Sequence, residues 1–238
     1  MNLVSEKKIK VLCIGDSLAL PGHGNRFEDT WFCKLQQSFP QFLFASHFRR
    51  ALTTHILISE GGGDTTFPGG ADCLEFYLPD IIVLQLGIVD CAPRYLRQSS
   101  LLNKIMERLP KKLKSFAYSI LKKVKKRTAK NADINTNQFF QYLAVYLKRC
   151  QKNKVNKVII IKICTPDERM IVKSPEIVES IKEYNAIIDQ MEQAFDFVSA
   201  VGPLNADHSS TIYDDGYHPN PYGNQLVFEE LKKVISLV

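Results

Sequence analysis

The sequence contains no long hydrophobic run. Residues 1–8 lack the apolar stretch of a secretory signal, and no later run reaches membrane-spanning length. The six cysteines stand singly, and no two of them have the spacing of metal ligands. Nothing resembles a metal site, a Walker loop or a dinucleotide fingerprint, so no cofactor is expected. These absences argue against a membrane-spanning or disulfide-linked protein, and we expect a reducing, cytoplasmic location.

Acidic residues are nearly missing from one segment. Between Arg94 and Lys130 there are thirteen Lys or Arg residues and one acid, Glu107, so this segment carries a charge of +12. The whole chain of 238 residues carries +6, which leaves −6 for the remainder. A strongly basic segment on a mildly acidic body indicates an anionic surface as partner.

Apolar runs typical of buried strands alternate with helical patterns along the chain. The length and the 45% hydrophobic content fit one domain over residues 1–238, and no repeats appear. The alternation predicts an α/β/α sandwich around a parallel sheet. Extended segments are predicted at residues 11–15, 42–44, 54–59, 80–87, 158–163 and 197–201. Helices are predicted at residues 30–38, 71–77, 137–151, 174–195 and 220–237.

The basic segment belongs to a helical insert at about residues 94–136. Its apolar residues recur at steps of three and four, which is typical of an amphipathic helix, and Pro110 interrupts the pattern. One interpretation is a lid with solvated lysines, and the other is a helix that lies on an anionic membrane. Nucleic-acid binding is disfavoured, because the helical part of the segment has few interleaved aromatics beyond Phe116 and Tyr118.

Three groups of polar residues follow strands or precede the last helix. Ser17 ends the first strand, the glycine-rich turn 61–64 follows residues 54–59, and Asp215 and His218 precede the final helix. In a parallel sheet these groups meet at one edge. A serine nucleophile needs a base, and a histidine base needs a carboxylate to fix its tautomer. The alternative interpretation of Ser17 is a helix N-cap.

In these motifs the sequence resembles the SGNH, or GDSL-type, hydrolase family. The resemblance runs from Gly15-Asp16-Ser17 through Gly63-Asp64-Thr65 and Gly87-Ile88-Val89-Asp90 to Asp215-Gly216-Tyr217-His218-Pro219. It implies a flavodoxin-like sheet and a serine esterase or O-acyltransferase that works through an acyl-Ser17 intermediate. By the same resemblance, His218 is the general base and Asp215 its partner, and the backbone N–H groups of Ser17 and Gly63 bind the oxyanion.

One position departs from the family pattern. The family's third block carries an Asn that donates to the oxyanion, and Val89 stands there in this chain. Loss of such a donor costs other hydrolases roughly 10²–10³ in turnover. Three interpretations stay open: Asn25, Arg26 or Arg94 replaces the donor, catalysis is slow, or the protein is a degenerate glycan-binding protein.

Residues 87–94 also resemble a subgroup associated with bacterial surface-polysaccharide biosynthesis. That resemblance implies an O-acylated carbohydrate as substrate, with a lipid-linked glycan at the inner face of the membrane as one form of it. Asp16, Asn25, Asp90 and Arg94 are the candidate substrate-binding residues. Asp90 either binds a sugar hydroxyl, braces the active-site loop or caps a turn. A lipid or thioester hydrolase is the alternative enzyme, and it would need an apolar acyl channel.

Overall fold

A computed structural model describes residues 8–22, 24–59, 72–97, 100–124, 126–204, 211–213 and 215–237. Five parallel strands form one sheet in the order β2-β1-β3-β4-β5. This is the flavodoxin-like order, so the predicted fold class is confirmed. The strands are β1 (Lys10–Gly15), β2 (Leu43–Phe48), β3 (Ile81–Gln85), β4 (Lys157–Ile161) and β5 (Val198–Val201).

Helices cover both faces of this sheet. They are α1 (Trp31–Ser38), α2 (Leu74–Tyr77), α3 (Ile88–Cys91), α4 (Leu101–Glu107), α5 (Lys111–Val124), α6 (Thr136–Lys152), α7 (Glu168–Lys173), α8 (Ile177–Ala194) and α9 (Pro221–Ile235). Helices α1 and α9 pack on one face, and α6 and α8 pack on the other. The strands between them are buried on both sides, which explains their continuous apolar runs.

The side chains of β1 show how this layering follows from the sequence. Val11 and Cys13 pack with Trp31 of α1, whereas Leu12 and Ile14 point to the opposite core. Successive residues of a strand face opposite sides of a sheet. A strand that is apolar throughout must therefore be covered by other elements on both faces. All six cysteines are free thiols.

Two predicted elements differ from the structure. Residues 54–59 were predicted as extended, but Thr54–Ile58 form a 3-10 helix outside the sheet. The N–H of Thr54 donates to the Asp90 carboxylate at 2.9 Å and its hydroxyl donates at 2.5 Å, and this turns the segment across the end of the sheet. The helix predicted at residues 174–195 begins at Ile177, so Ser174 lies outside α8. It ends α7, donating its N–H to the carbonyls of Met170 and Ile171.

The two ends of the segment that carries α4 and α5 pair with each other outside the sheet. The N–H of Arg94 donates to the carbonyl of Thr128 at 3.3 Å, and the N–H of Thr128 donates back to Arg94 at 3.2 Å. The prediction of a helix broken at Pro110 matches α4 and α5. No helix in the described residues is both long and apolar enough to cross a membrane.

Candidate active site

Ser17 lies where the strand order reverses, at the carboxyl end of β1. In sheets of this topology, ligands bind at this point. Asp16 caps the 3-10 turn Ser17–Ala19, since its Oδ1 accepts the N–H of Leu18 at 2.9 Å. Asp16 therefore supplies the cap, and the hydroxyl of Ser17 is available to His218. The distance from Ser17 Oγ to His218 Nε2 is 3.1 Å.

Asp215 holds the other side of the His218 ring. Its Oδ2 contacts His218 Nδ1, and its Oδ1 accepts the N–H groups of Tyr217 at 3.2 Å and His218 at 3.1 Å. Burial would raise the pKa of Asp215, but the hydrogen bonds from His218 and Tyr217 outweigh it and hold that pKa below its usual range. The carboxylate is thus ionised and aligned with the imidazole. This arrangement orients a histidine as a base toward a serine.

Asn25 secures the segment that carries His218. The Tyr213 hydroxyl donates to Asn25 Oδ1 at 2.8 Å, and Asn25 Nδ2 donates to the carbonyl of Pro219 at 2.8 Å. Both ends of the Asn25 amide therefore bind protein groups. The sequence interpretation of Asn25 was an oxyanion donor or a substrate-binding residue, but these contacts make it a positioning residue.

A cleft of about 900 Å³ opens above Ser17. Its floor includes Ser17, Ile88 and Val89, and its roof comes from α4 and α5 of the insert. The remaining lining residues are mostly polar or aromatic: Arg94, Tyr95, Asn103, Glu107, Tyr118, Lys122, Arg127 and Tyr217, together with Ala51, Ala92, Pro93, Leu96, Pro166 and Met170. The insert therefore encloses the site, in agreement with its interpretation as a lid.

The oxyanion position is flanked by Val89 and Arg94. Ser17 lines the cleft, and no acceptor for its N–H is found among the described residues. Arg26 is exposed and does not line the cleft, whereas Arg94 does. Arg94 Nη2 donates to the carbonyl of Val89 at 3.3 Å, and its Nε lies 2.5 Å from the Asp133 carboxylate. The predicted donor Gly63 and the turn 61–64 lie outside the described residues.

Asp16 and Asp90 are both fully buried beneath this site and do not line the cleft. Burial raises the pKa of Asp16 to about 8; the bond from Leu18 lowers it in part, and the charge of Asp90 adds to the rise. Burial likewise raises the pKa of Asp90 to about 6 against the two hydrogen bonds from Thr54. Of the three interpretations of Asp90, the contacts with Thr54 fit the one in which it braces the loop.

Glycine at position 87 is required by the turn that brings Val89 to the cleft. Its φ is +122°, and a Cβ there would lie 2.6 Å from the Cδ1 of Ile163. A side chain would therefore be strained and would also clash. The turn allows α3 to begin directly after β3, and this fixes Val89 beside Ser17.

Sequence reasoning missed the residues that the insert contributes to the cleft. Asn103 lies in α4, and Tyr118 and Lys122 lie one turn apart in α5. The Tyr118 hydroxyl donates to Asn103 Oδ1 at 2.9 Å, which ties the two helices together. The amphipathic pattern places these residues on the polar side of their helices. No local feature of the sequence indicated that this side would face Ser17.

Comparisons with known proteins place the fold among GDSL-type hydrolases. A solved structure of a G-D-S-L family lipolytic protein from Desulfitobacterium hafniense matches with a TM-score of 0.60 and 16% identity, over 95% of this chain and 99% of the other. The psychrotrophic esterase EstA from Pseudoalteromonas sp., inhibited by monoethylphosphonate, gives a TM-score of 0.55 and 16% identity over 95% and 96%. A variant of Axe2, an acetyl-xylooligosaccharide esterase from Geobacillus Stearmophilus, gives 0.57 and 14% over 94% and 93%.

These similarities concern the fold. No protein-family model and no curated protein matches the sequence. The fold and the geometry of Ser17, His218 and Asp215 together define the class: this chain has the SGNH hydrolase fold, and it carries a serine, a histidine and an aspartate in contact at the switch point of the sheet.

Proposed function

We propose that this protein is a serine esterase that acts on an O-acylated carbohydrate through an acyl-Ser17 intermediate. The observation that carries the proposal is the contact of Ser17 Oγ with His218 Nε2 at 3.1 Å, with Asp215 on the other ring nitrogen. Ser17 lies about 200 residues from the segment that carries Asp215 and His218. Their alignment at the floor of an open cleft suits nucleophilic catalysis.

The proposed reaction has two halves. Ser17 Oγ attacks the ester carbonyl carbon while its proton passes to His218 Nε2, and the carbonyl oxygen becomes an oxyanion. The ester C–O bond then breaks, and the alcohol leaves with the proton from His218. In the second half, water attacks the acyl-Ser17 carbonyl carbon and loses a proton to His218. The bond between the acyl carbon and Ser17 Oγ then breaks, the acid is released, and His218 returns the proton to Ser17 Oγ. A sugar hydroxyl in place of water would give O-acyl transfer instead.

Oxyanion stabilisation in this proposal comes from the N–H of Ser17 and the positive charge of Arg94. Ser17 and Arg94 both line the cleft, whereas the side chain of Val89 has no hydrogen-bond donor. Because Arg94 also binds the Val89 carbonyl and Asp133, its guanidinium is held in place before substrate arrives. Preorganised positive groups of this kind stabilise a developing negative charge.

The lining of the cleft favours a polar, negatively charged substrate. Arg94, Lys122 and Arg127 are basic, and Tyr95 and Tyr118 offer aromatic surfaces beside them. A long acyl channel, which a lipid or thioester hydrolase would need, would be lined by aliphatic side chains. We therefore favour a short acyl group on a carbohydrate that carries an acidic or phosphate group, such as an intermediate of surface-polysaccharide biosynthesis.

The proposal is tested with an activated acetyl ester and an organophosphonate. The wild-type protein should release the alcohol, and mass spectrometry should locate the phosphonate on Ser17. Ser17→Ala should lose turnover by at least about 10³-fold. The control Ser115→Ala changes an exposed serine of α5 outside the cleft. Turnover that survives in Ser17→Ala would refute the nucleophile, and complete inertness of the wild type toward short- and long-chain esters would favour a glycan-binding protein.

A further inference from the structure

The roof of the cleft has an apolar outer surface. Helix α5 buries none of its residues over its full length of 14 residues, although its apolar positions are spaced for burial. Large apolar side chains of both roof helices are instead exposed: Leu101, Leu102 and Ile105 in α4, and Leu113, Phe116, Ile120 and Val124 in α5. The exposed fractions reach 66% for Phe116 and 77% for Val124. An ordinary amphipathic helix of a globular protein turns such a stripe toward the core.

The orientation of this surface follows from the residues that line the cleft. Tyr118 and Lys122 of α5 face the cleft. At 100° per residue, Phe116 and Ile120 each lie about 200° around the helix from Tyr118, so they point away from it. Helix α4 repeats the arrangement, with Asn103 on the cleft side and Leu101 74% exposed. Both helices therefore present polar residues to the substrate space and apolar residues to the outside.

The charges beside this surface indicate what covers it. Lys104 in α4 and Lys112 and Lys123 in α5 are exposed and lie away from the cleft-facing side of their helices. The one acidic residue of the segment, Glu107, lines the cleft and pairs with Lys114. A two-fold dimer through this face would bring an equally basic surface against it, and the two would repel each other. An anionic partner with an apolar interior would pair with the lysines and bury the exposed apolar side chains.

We propose that the outer face of α4 and α5 docks on a bilayer that contains anionic phospholipids. Helix α5 is about 21 Å long, which is too short to span a bilayer, so it lies in the plane of the interface. Its apolar stripe enters the headgroup boundary, and its lysines contact the lipid phosphates. The two helices then lie between the bilayer and the cleft. This docking does not depend on the ester chemistry, since binding is measured without substrate.

Co-sedimentation with vesicles provides the first test. The full-length protein should bind vesicles of equal parts phosphatidylcholine and phosphatidylglycerol, and it should not bind pure phosphatidylcholine. The double variant Phe116→Gln/Ile120→Gln should bind at least about tenfold more weakly, because apolar burial contributes to interfacial binding. Lys112→Gln should weaken binding about fivefold, the value of one basic charge near an anionic surface.

Matched controls separate docking from general effects. Phe76→Gln removes a phenyl ring that is 71% exposed in α2, and Lys148→Gln removes an exposed lysine in α6. Both should bind like the wild type. Hydrolysis of a soluble acetyl ester should be unchanged in the double variant, whose residues do not line the cleft. If the wild type were inert as an esterase but still bound the vesicles, only the proposed function would fail.

Fluorescence shows whether the stripe enters the lipid. The single native tryptophan, Trp31, is buried, so its emission should not change when the protein binds vesicles. In an Ile120→Trp variant, any change in emission therefore reports on the outer face of α5. Its emission should shift to shorter wavelength on anionic vesicles and be quenched by brominated acyl chains. Equal binding to neutral and anionic vesicles would overturn the proposal. So would equal binding to an RNA homopolymer with no effect of Phe116→Gln/Ile120→Gln, because the surface would then act only as a polycation.

Discussion

The sheet edge and the basic insert use the same kinds of residues in opposite ways. At the sheet edge, apolar side chains are buried on both faces, and the Asp215 carboxylate accepts hydrogen bonds from the N–H groups of Tyr217 and His218. In the insert, apolar side chains are exposed and polar ones line a cleft. The edge is therefore preorganised by folding, whereas the insert is arranged for contact with other molecules.

This comparison assigns separate tasks to the two regions. The reacting groups lie on rigid elements that the core positions, which suits chemistry that depends on distances of about 3 Å. The paired backbone groups of Arg94 and Thr128 close the base of the insert outside the strands of the sheet. We expect changes at the edge to alter kcat and changes in the insert to alter substrate or surface binding.

Asp215→Asn should give the largest effect. The amide keeps the shape of the side chain but no longer stabilises the required tautomer and charge of His218, so kcat should fall by about 10⁴-fold. Steady-state kinetics on an activated ester measure this. The matched control is Asp196→Asn, which makes the same change at an exposed position between α8 and β5. A loss smaller than tenfold would mean that Asp215 does not support the base.

Val89→Asn should raise activity. A side-chain amide at this position would offer the oxyanion a donor that the valine cannot, and kcat should rise by up to about 10²-fold. Val89→Leu keeps the position apolar and should show no gain. Thermal melts of both variants confirm that folding is retained. An unchanged kcat in a folded Val89→Asn protein would indicate that Arg94 already supplies enough stabilisation.

Lys122→Gln tests whether the insert contributes to substrate binding. With an anionic acylated sugar as substrate, KM should rise about tenfold because one charge-assisted contact is lost, while kcat stays near the wild-type value. The neighbouring Lys123→Gln changes the same charge on the same helix but outside the cleft. If both variants behaved alike, the effect would be one of general charge and not of cleft contact.

Asp16→Asn should change the pH dependence of stability. The unfolded chain releases this proton near 3.8, whereas the folded protein holds it until about 8. Between these values the unfolded state binds fewer protons, so the free energy of unfolding falls as pH rises, by at most about 1.4 kcal/mol per pH unit. The variant should lose this decline, as urea unfolding at a series of pH values would show. Asp90→Asn should flatten the curve only below about 6.

Sequence patterns were sufficient for the sheet and for the convergence of the reacting groups. Continuous apolar runs such as residues 80–87 require burial on both faces, and the order of strands and helices then brings Ser17 and His218 to one edge. The same patterns failed at Thr54–Ile58, where a run suited to a strand became a 3-10 helix. The buried carboxylate of Asp90, from a segment distant in the chain, accepts two hydrogen bonds from Thr54 at the start of this 3-10 helix.

The sequence by itself determined which residues share a face, because side-chain periodicity is a local property of helices and strands. It thereby determined the layered fold, the candidate triad and the amphipathic insert. Only the tertiary structure decided where each face points. It directed Tyr118 toward Ser17 and Phe116 toward the outside, and it gave Asn25 a partner on each end of its amide. Such orientations depend on contacts between segments that are distant in the chain, and local periodicity does not encode them.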